Sequence, residues 1–332
     1  MEEKKMDELA GLLTILPPVE FCCVYGSSLH PNNYDKSRMI DYILGVRDPV
    51  EWHSQNLQTN MNHYASWMVY LGGAKMITGV ADHIGVGVHF NPFVSWNNQT
   101  FKYGVVRMND LIEDLRSWEN FYLSGRLQKP VNVVVDCLDV KQLNLFNLKA
   151  ATSAALLLLP DTFTEEDLYA KICSLSYKGD LRMLFAEDRH KVRKIVQGQF
   201  ELFKGMYRPV LEEFATKDLL RFSSSNAFQE KVSQDCGLPA VQSLVSHLPS
   251  TVKHSMRKML GEQHHKMKIG QVVHDVAIKS RAEAANCIEK IIRRKVMVSS
   301  VRQAVSGVLT VGAARASRYL ANKMSKAWKS RA

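Results

Sequence analysis

The spacing of apolar residues changes about 145 positions into this 332-residue chain, and that change restricts the fold more than any other feature. Before it, apolar residues come in short runs bounded by turn formers, the pattern of buried strands. After it they recur at three- and four-residue steps, the pattern of helices. Residues 20–25 (EFCCVY), Met39–Val46, two stretches within 84–107, and Pro130–Cys137 read as strands. Asp48-Pro49-Val50-Glu51 reads as a helix start, with Asp48 as cap and Pro49 at the first position. Asn109–Leu123 reads as a helix, and a long apolar helix ends at Leu159-Pro160. Thr164-Glu165-Glu166-Asp167 begins another, and His190–Tyr207 carries helical spacing. The expected fold class is α/β in the α+β sense. A mixed domain occupies 1–142, a helical domain 143–240, and a basic helical region 241–332, with a Ser-rich join at 223–225 and the stretch 231–251 marking the boundary.

Hydrophobic residues make up 46% and charged residues 23% of the chain, an ordinary globular balance that rules out disorder as the dominant state. The longest apolar run, Ala150–Pro160, is well short of the ~20 residues a bilayer span needs. Residues 251–332 carry 18 Lys and Arg against 4 Asp and Glu, a net of +14, while residues 1–250 carry 25 against 29, a net of −4. The body is therefore not a basic nucleic-acid-binding surface. The six cysteines lack any C-x-x-C spacing and read as small buried hydrophobes in a reducing compartment. The N-terminus, Met1-Glu2-Glu3-Lys4-Lys5, is too acidic for an evident transit peptide.

The chemistry centres on Gly26-Ser27-Ser28 directly after the first strand, and on Asp41 in the second. Glycine lets a backbone approach a triphosphate closely, and the following N–H groups and hydroxyls donate to its oxygens. A carboxylate on the neighbouring strand can hold Mg²⁺ against the same phosphates. Nucleotidyltransferases commonly carry a second acid two residues on, and here that place is Ile43. A partner carboxylate must come from elsewhere: Asp48, Asp136, Asp139 or Asp180. Asp180 stands out, in an unusually polar loop between apolar helices.

The runs VYGSSLHP (24–31), MIDYILGVRDPVEWHSQNL (39–57), FKYGVV (101–106), LSGRLQKPV (123–131) and SYKGDLRMLFAEDRHKV (176–192) resemble the mitochondrial phosphatidate cytidylyltransferases. These belong to the translocator assembly and maintenance family of peripheral CDP-diacylglycerol synthases. The resemblance implies a nucleotidyltransferase-fold domain, a winged-helix-like domain after it, and a site between them. It implies that CTP and phosphatidic acid give CDP-diacylglycerol and diphosphate with Mg²⁺, feeding cardiolipin and phosphatidylglycerol synthesis, on the matrix side of the mitochondrial inner membrane. On this reading Gly26, Ser27 and Ser28 bind the triphosphate, and Asp41 holds the metal with Asp180 as second ligand or organiser. Lys102, Arg182 and Lys191 are cations for the phosphates of CTP or phosphatidate. A phosphate nucleophile is already ionised near neutral pH, so the missing acid at Ile43 is tolerable.

From Val301 the chain reads as a basic amphipathic helix suited to the surface of an anionic membrane holding phosphatidic acid. Arg315, Arg318, Lys326, Trp328 and Lys329 are its expected membrane-binding residues. No nucleic-acid partner is expected, and a homo-oligomer is compatible with the sequence. Two other readings are a nucleotidyltransferase acting on nucleic acid and a non-catalytic membrane scaffold supporting mitochondrial protein import. A scaffold has no need of the Gly26, Asp41 and Asp180 set.

Overall fold

The computed structural model describes residues 2–26, 39–180, 191–223, 231–266 and 272–311. Helix α1 (Glu2–Ala10) leads into β1 (Phe21–Tyr25), all five of whose residues are buried. β2 (Ile40–Val46) follows, then α2 (Pro49–Thr59), whose start is capped by the Asp48 side chain accepting from the Val50 and Glu51 amides. α3 (Ser66–Gly79) breaks at Gly72-Gly73 and runs into a π-helical turn, Val80–Ile84. The hairpin β3 (Val88–Trp96) and β4 (Gln99–Arg107) comes next. α4 (Met108–Ser117), α5 (Ser124–Leu127) and β5 (Asn132–Asp136) complete the first half.

The strands form one mixed sheet in the order β3-β4-β2-β1-β5, parallel between β2 and β4 and antiparallel elsewhere. Alternate residues of the strands feed two apolar clusters. Cys22, Val24, Tyr42, Leu44 and Tyr103 pack with α1 and α2, while Phe21, Cys23, Tyr25, Ile43 and Val106 pack with α4 and α5. The expected strands are all present. The expected helix Asn109–Leu123 is shorter, because Trp118 takes a left-handed conformation (φ 55°) and ends α4 at Ser117.

The second half is helical, with small sheets. α6 (Val140–Leu158) begins earlier than expected, and α7 (Glu165–Leu175) opens with a capping box between Thr164 and Asp167. The spacing expected over 190–207 belongs, from Lys191 on, to two helices, α8 (Lys191–Gly198) and α9 (Phe200–Thr216), separated at Gln199, while His190 lies outside the described residues. β6 (Thr162–Thr164), β7 (Leu220–Phe222) and β8 (Lys231–Gln234) form a sheet in the order β6-β8-β7. α10 (Leu238–Ser246), α11 (Ser250–Leu260) and the hairpin of β9 (Glu262–Lys266) and β10 (Val272–Val276) precede α12 (Arg281–Val311). One apolar cluster runs from Trp118 through α6, α7, α9 and α10 to Val296 of α12.

At 31 residues, α12 is about 46 Å long. Its start is fixed where Arg281 donates to the Leu156 carbonyl of α6 and to that of Leu159 just after it. Its far part reaches the first half, where Arg302 donates to the Ile84 carbonyl at 3.2 Å and Trp67 Nε1 to the Leu309 carbonyl at 3.0 Å. Among the described residues no helix is long and apolar enough to cross a membrane.

Candidate functional site

Three of the expected site residues meet at one end of the central sheet. Tyr25 stands opposite Asp41 across β1 and β2, and Asp41 stands beside Lys102 across β2 and β4. Gly26 leaves β1 with φ 104°, and a Cβ on it would lie 3.0 Å from Asp41 Oδ2. Both the dihedral and the close approach demand glycine. Lys102 Nζ lies 3.7 Å from Asp41 Oδ1 and 4.2 Å from the centre of the Phe90 ring. Both side chains of the pair keep about a quarter of their surface exposed, so solvent screens their mutual attraction.

Tyr25 is buried behind this group. Burial pushes its hydroxyl well above the ordinary range, Arg126 opposes the shift, and Asp41 adds to it. Its Oη has no hydrogen-bond partner among the described residues.

Asp180 and Lys191 belong to a neighbouring pocket shared with Tyr122, Arg126, Lys129 and Tyr177, one wall of which is Val296, Ser299 and Ser300 of α12. Asp180 is only 3% exposed. Arg126 links the two groups, its guanidinium lying 4.1 Å from the Tyr25 ring centre and 5.4 Å from that of Tyr122. Lys129 and Lys191 each lie 5.2 Å from the Tyr177 ring centre, and Lys129 donates to Ser176 Oγ at 2.7 Å and to the Gly125 carbonyl. Cations therefore converge on a pocket whose lining, among the described residues, holds one carboxylate, Asp180.

Arg126 and Lys129 were not among the expected site residues, although both lie in the run LSGRLQKPV. Their placement depends on residues with no outward sign of function. Asp114 accepts from the amides of Asn120, Phe121, Leu123 and Ser124 at 2.9 Å and from Ser124 Oγ at 3.0 Å. From α6, Asn144 donates to the Leu127 carbonyl and Asn147 to the Ser124 carbonyl. From α9, Tyr207 donates to the Gln128 carbonyl at 2.8 Å. The short α5 is thereby held from three sides, with Arg126 and Lys129 aimed into the pocket.

The alternative carboxylates have other work. Asp48 caps α2. Asp136 accepts from the Val140 and Lys141 amides at the start of α6, and Asp139 from Gln142. Asp136 pairs with Phe21, at the opposite end of β1 from Tyr25 and Asp41. Among the described residues no three His, Cys, Asp or Glu side chains gather closely enough to hold a metal by themselves. Ser27, Ser28 and Arg182 lie outside the described residues, as do Arg315, Arg318, Lys326, Trp328 and Lys329.

Residues 9–326 match the sequence family described as mitochondrial phosphatidate cytidylyltransferase. The human protein of that name is 35% identical over 295 residues, which cover 87% of this chain and 63% of the human one. The cattle protein is 33% identical over 311 residues, covering 92% and 89% of the two chains. The Caenorhabditis elegans protein is 32% identical over 332 residues, covering 98% of this chain and all of its own.

Proposed function

The chain belongs to the mitochondrial phosphatidate cytidylyltransferase family, and from that premise we propose that it transfers the cytidylyl group of CTP to phosphatidate, forming CDP-diacylglycerol and diphosphate. The observation that carries this reading is the approach of the Gly26 backbone to the Asp41 carboxylate beside Lys102. The absence of a side chain at Gly26 lets its backbone come close to the carboxylate, and a glycine backbone can likewise approach a triphosphate closely. Ser27 and Ser28 extend the same segment as hydroxyl donors.

Asp41 would hold Mg²⁺, which takes one or two carboxylates and completes its shell from substrate phosphates and water. The residues fit such an ion: the Asp41 carboxylate is a hard oxygen donor with about a quarter of its side-chain surface exposed, and the nearby Tyr25 hydroxyl is a buried group without a hydrogen-bond partner among the described residues. When bound, the ion neutralises charge on the triphosphate. Asp180 is the second candidate ligand, or the organiser of the surrounding cations.

In the reaction an ionised phosphate oxygen of phosphatidate attacks the α-phosphorus of CTP. The bond from that phosphorus to the oxygen bridging to the β-phosphate breaks, and its electron pair leaves with diphosphate. The nucleophile carries no proton to be removed, so the residues act by position and charge. Lys102 is placed for the triphosphate, and Arg126, Lys129, Lys191 and Arg182 are cations for the meeting phosphates.

We assign the first half as the nucleotidyltransferase domain and the following helices with β6, β7 and β8 as the winged-helix-like domain. The proposed location is the matrix side of the mitochondrial inner membrane, held peripherally through Arg315, Arg318, Lys326, Trp328 and Lys329. The test is purified protein with labelled CTP, Mg²⁺ and phosphatidate-containing vesicles. Lipid-dependent diphosphate release is expected, and Asp41→Asn is expected to lower it by at least ~10²-fold while leaving the circular dichroism spectrum unchanged. No lipid-dependent release from the unaltered chain would overturn the reading.

A further inference from the structure

The far part of α12 is inside out for a helix lying on a soluble protein. Its body-facing side is small and polar: Ser299, Ser300, Ser306 and Thr310 are buried. Its outward side is apolar: Met297, Val301, Val305 and Val308 are exposed at steps of four, four and three residues, which is one stripe of a helix. A surface helix in water has the opposite arrangement.

The stripe does not stand alone. Trp67 ties α12 to α3 through the Leu309 carbonyl. On α3, just before its break at Gly72-Gly73, Tyr70 is 83% and Leu71 70% exposed. A shallow groove over Met76, Val80 and Ile84 borders the break. Large exposed apolar side chains on two elements joined by a hydrogen bond mark contact with a partner or a membrane.

Charge and chain direction choose between these. Residues 312–332, which continue directly from α12, contain six Lys or Arg and no Asp or Glu. Any surface they meet while the stripe is covered must be anionic and apolar together, as a bilayer of acidic lipids is. On the same helix, Val296, Ser299 and Ser300 wall the polar pocket.

We propose that the α12 stripe of Met297, Val301, Val305 and Val308, continued by Tyr70 and Leu71, is a bilayer-contacting surface for anionic lipid, separate from the basic residues beyond 311. It rests on the reading that the chain acts on a bilayer-held phosphate lipid. The helix rises about 1.5 Å per residue, so Val308 lies about 12 Å along it from Ser300. A bilayer seated on the stripe would lie against the outer side of the helix whose inner side walls the pocket.

The test uses the full chain with Tyr70→Ser plus Leu71→Ser, Val305→Ser plus Val308→Ser, and all four together. Partition is read by flotation on phosphatidylcholine vesicles containing phosphatidylglycerol, without CTP. Each pair is expected to weaken partition by about tenfold, the order expected for withdrawing two apolar side chains from lipid. Turnover of a short-chain, water-soluble phosphatidate is expected to stay at the unaltered level, while turnover of vesicle-held phosphatidate falls with binding.

Undiminished flotation of the fourfold variant would overturn the proposal. Stronger flotation would point to residues 312–332 of the chain as the cover. Loss of a sedimenting dimer with flotation unchanged would point to a second copy. If the unaltered chain turns over neither phosphatidate, the cytidylyl-transfer reading fails, and flotation still decides whether the surface meets lipid.

Discussion

Asp114 shows how a single buried carboxylate can build a site it does not enter. Its two oxygens accept four backbone amides and one hydroxyl, all within the turn that leads to Arg126. An asparagine has the same shape but puts an NH₂ against donors it cannot satisfy. Asp114→Asn is expected to cost about 2–4 kcal/mol of stability, measured by urea denaturation. It is also expected to lower turnover, because α5 loses the anchor that aims Arg126 and Lys129. Retention of wild-type stability would show that the turn holds without the charge.

Gly179 carries the corresponding constraint at the scale of elements. It has φ +91°, and a Cβ there would lie 2.6 Å from the Arg293 carbonyl of α12. Lys178 pairs with Glu289 of the same helix at 2.5 Å. The turn holding Tyr177 and Asp180 is thus pressed against α12 by backbone contact as well as by charge. Gly179→Ala is expected to lose about 1–3 kcal/mol from the strained dihedral and the clash with a backbone oxygen. A parallel fall in kcat/KM for CTP would show that the turn serves the pocket, and an unchanged kcat/KM would separate Asp180 from turnover.

Elements set by local chemistry were legible in the sequence. The apolar runs located β1, β2 and β5, Asp48-Pro49 marked the start of α2, and Thr164 with Asp167 marked that of α7. Gly26 and Asp41 stand out as a glycine just after one apolar strand and an acid within the next, Lys102 is implied by the family resemblance, and the sheet brings the three to one end. What was not legible depends on distant partners. Asn109–Leu123 has helical spacing, yet Asp114 draws the amides after Trp118 into a turn. Arg126 and Lys129 look like ordinary charges until Asn144, Asn147 and Tyr207 fix the backbone around them. The spacing from Val301 gives an amphipathic helix with an apolar side for a surface, but not that Ser299, Ser300, Ser306 and Thr310 are buried against the body, which depends on distant partners.

The whole molecule carries a set of histidines that folding keeps neutral. Burial lowers His53 well below its ordinary value and lowers His89 and His63 to about 4. Burial with Lys149 and Lys217 does the same to His247, also to about 4. Below the unfolded value near 6.5, the unfolded chain takes up protons that the folded chain refuses. Stability from these groups is therefore full above pH 6.5 and is lost as pH falls from there toward 4. Each fully buried histidine contributes a slope of up to about 1.4 kcal/mol per pH unit. The melting temperature is expected to drop across that window, and His89→Gln, which cannot be protonated, is expected to flatten the drop. A pH-independent melting temperature between 4 and 6.5 would contradict the buried neutral state.

The central sheet is finished by Asp136, but the wall of the polar pocket arrives only with Ser299 and Ser300. Order of synthesis therefore matters. A chain emerging from a ribosome, or threading N-terminus first through a translocation pore, can assemble Gly26, Asp41 and Lys102 while its pocket still lacks a side. The same helix that closes the pocket leads on to residues 312–332, which carry six Lys or Arg and no Asp or Glu. A chain cut before Ser299 therefore lacks one side of the pocket.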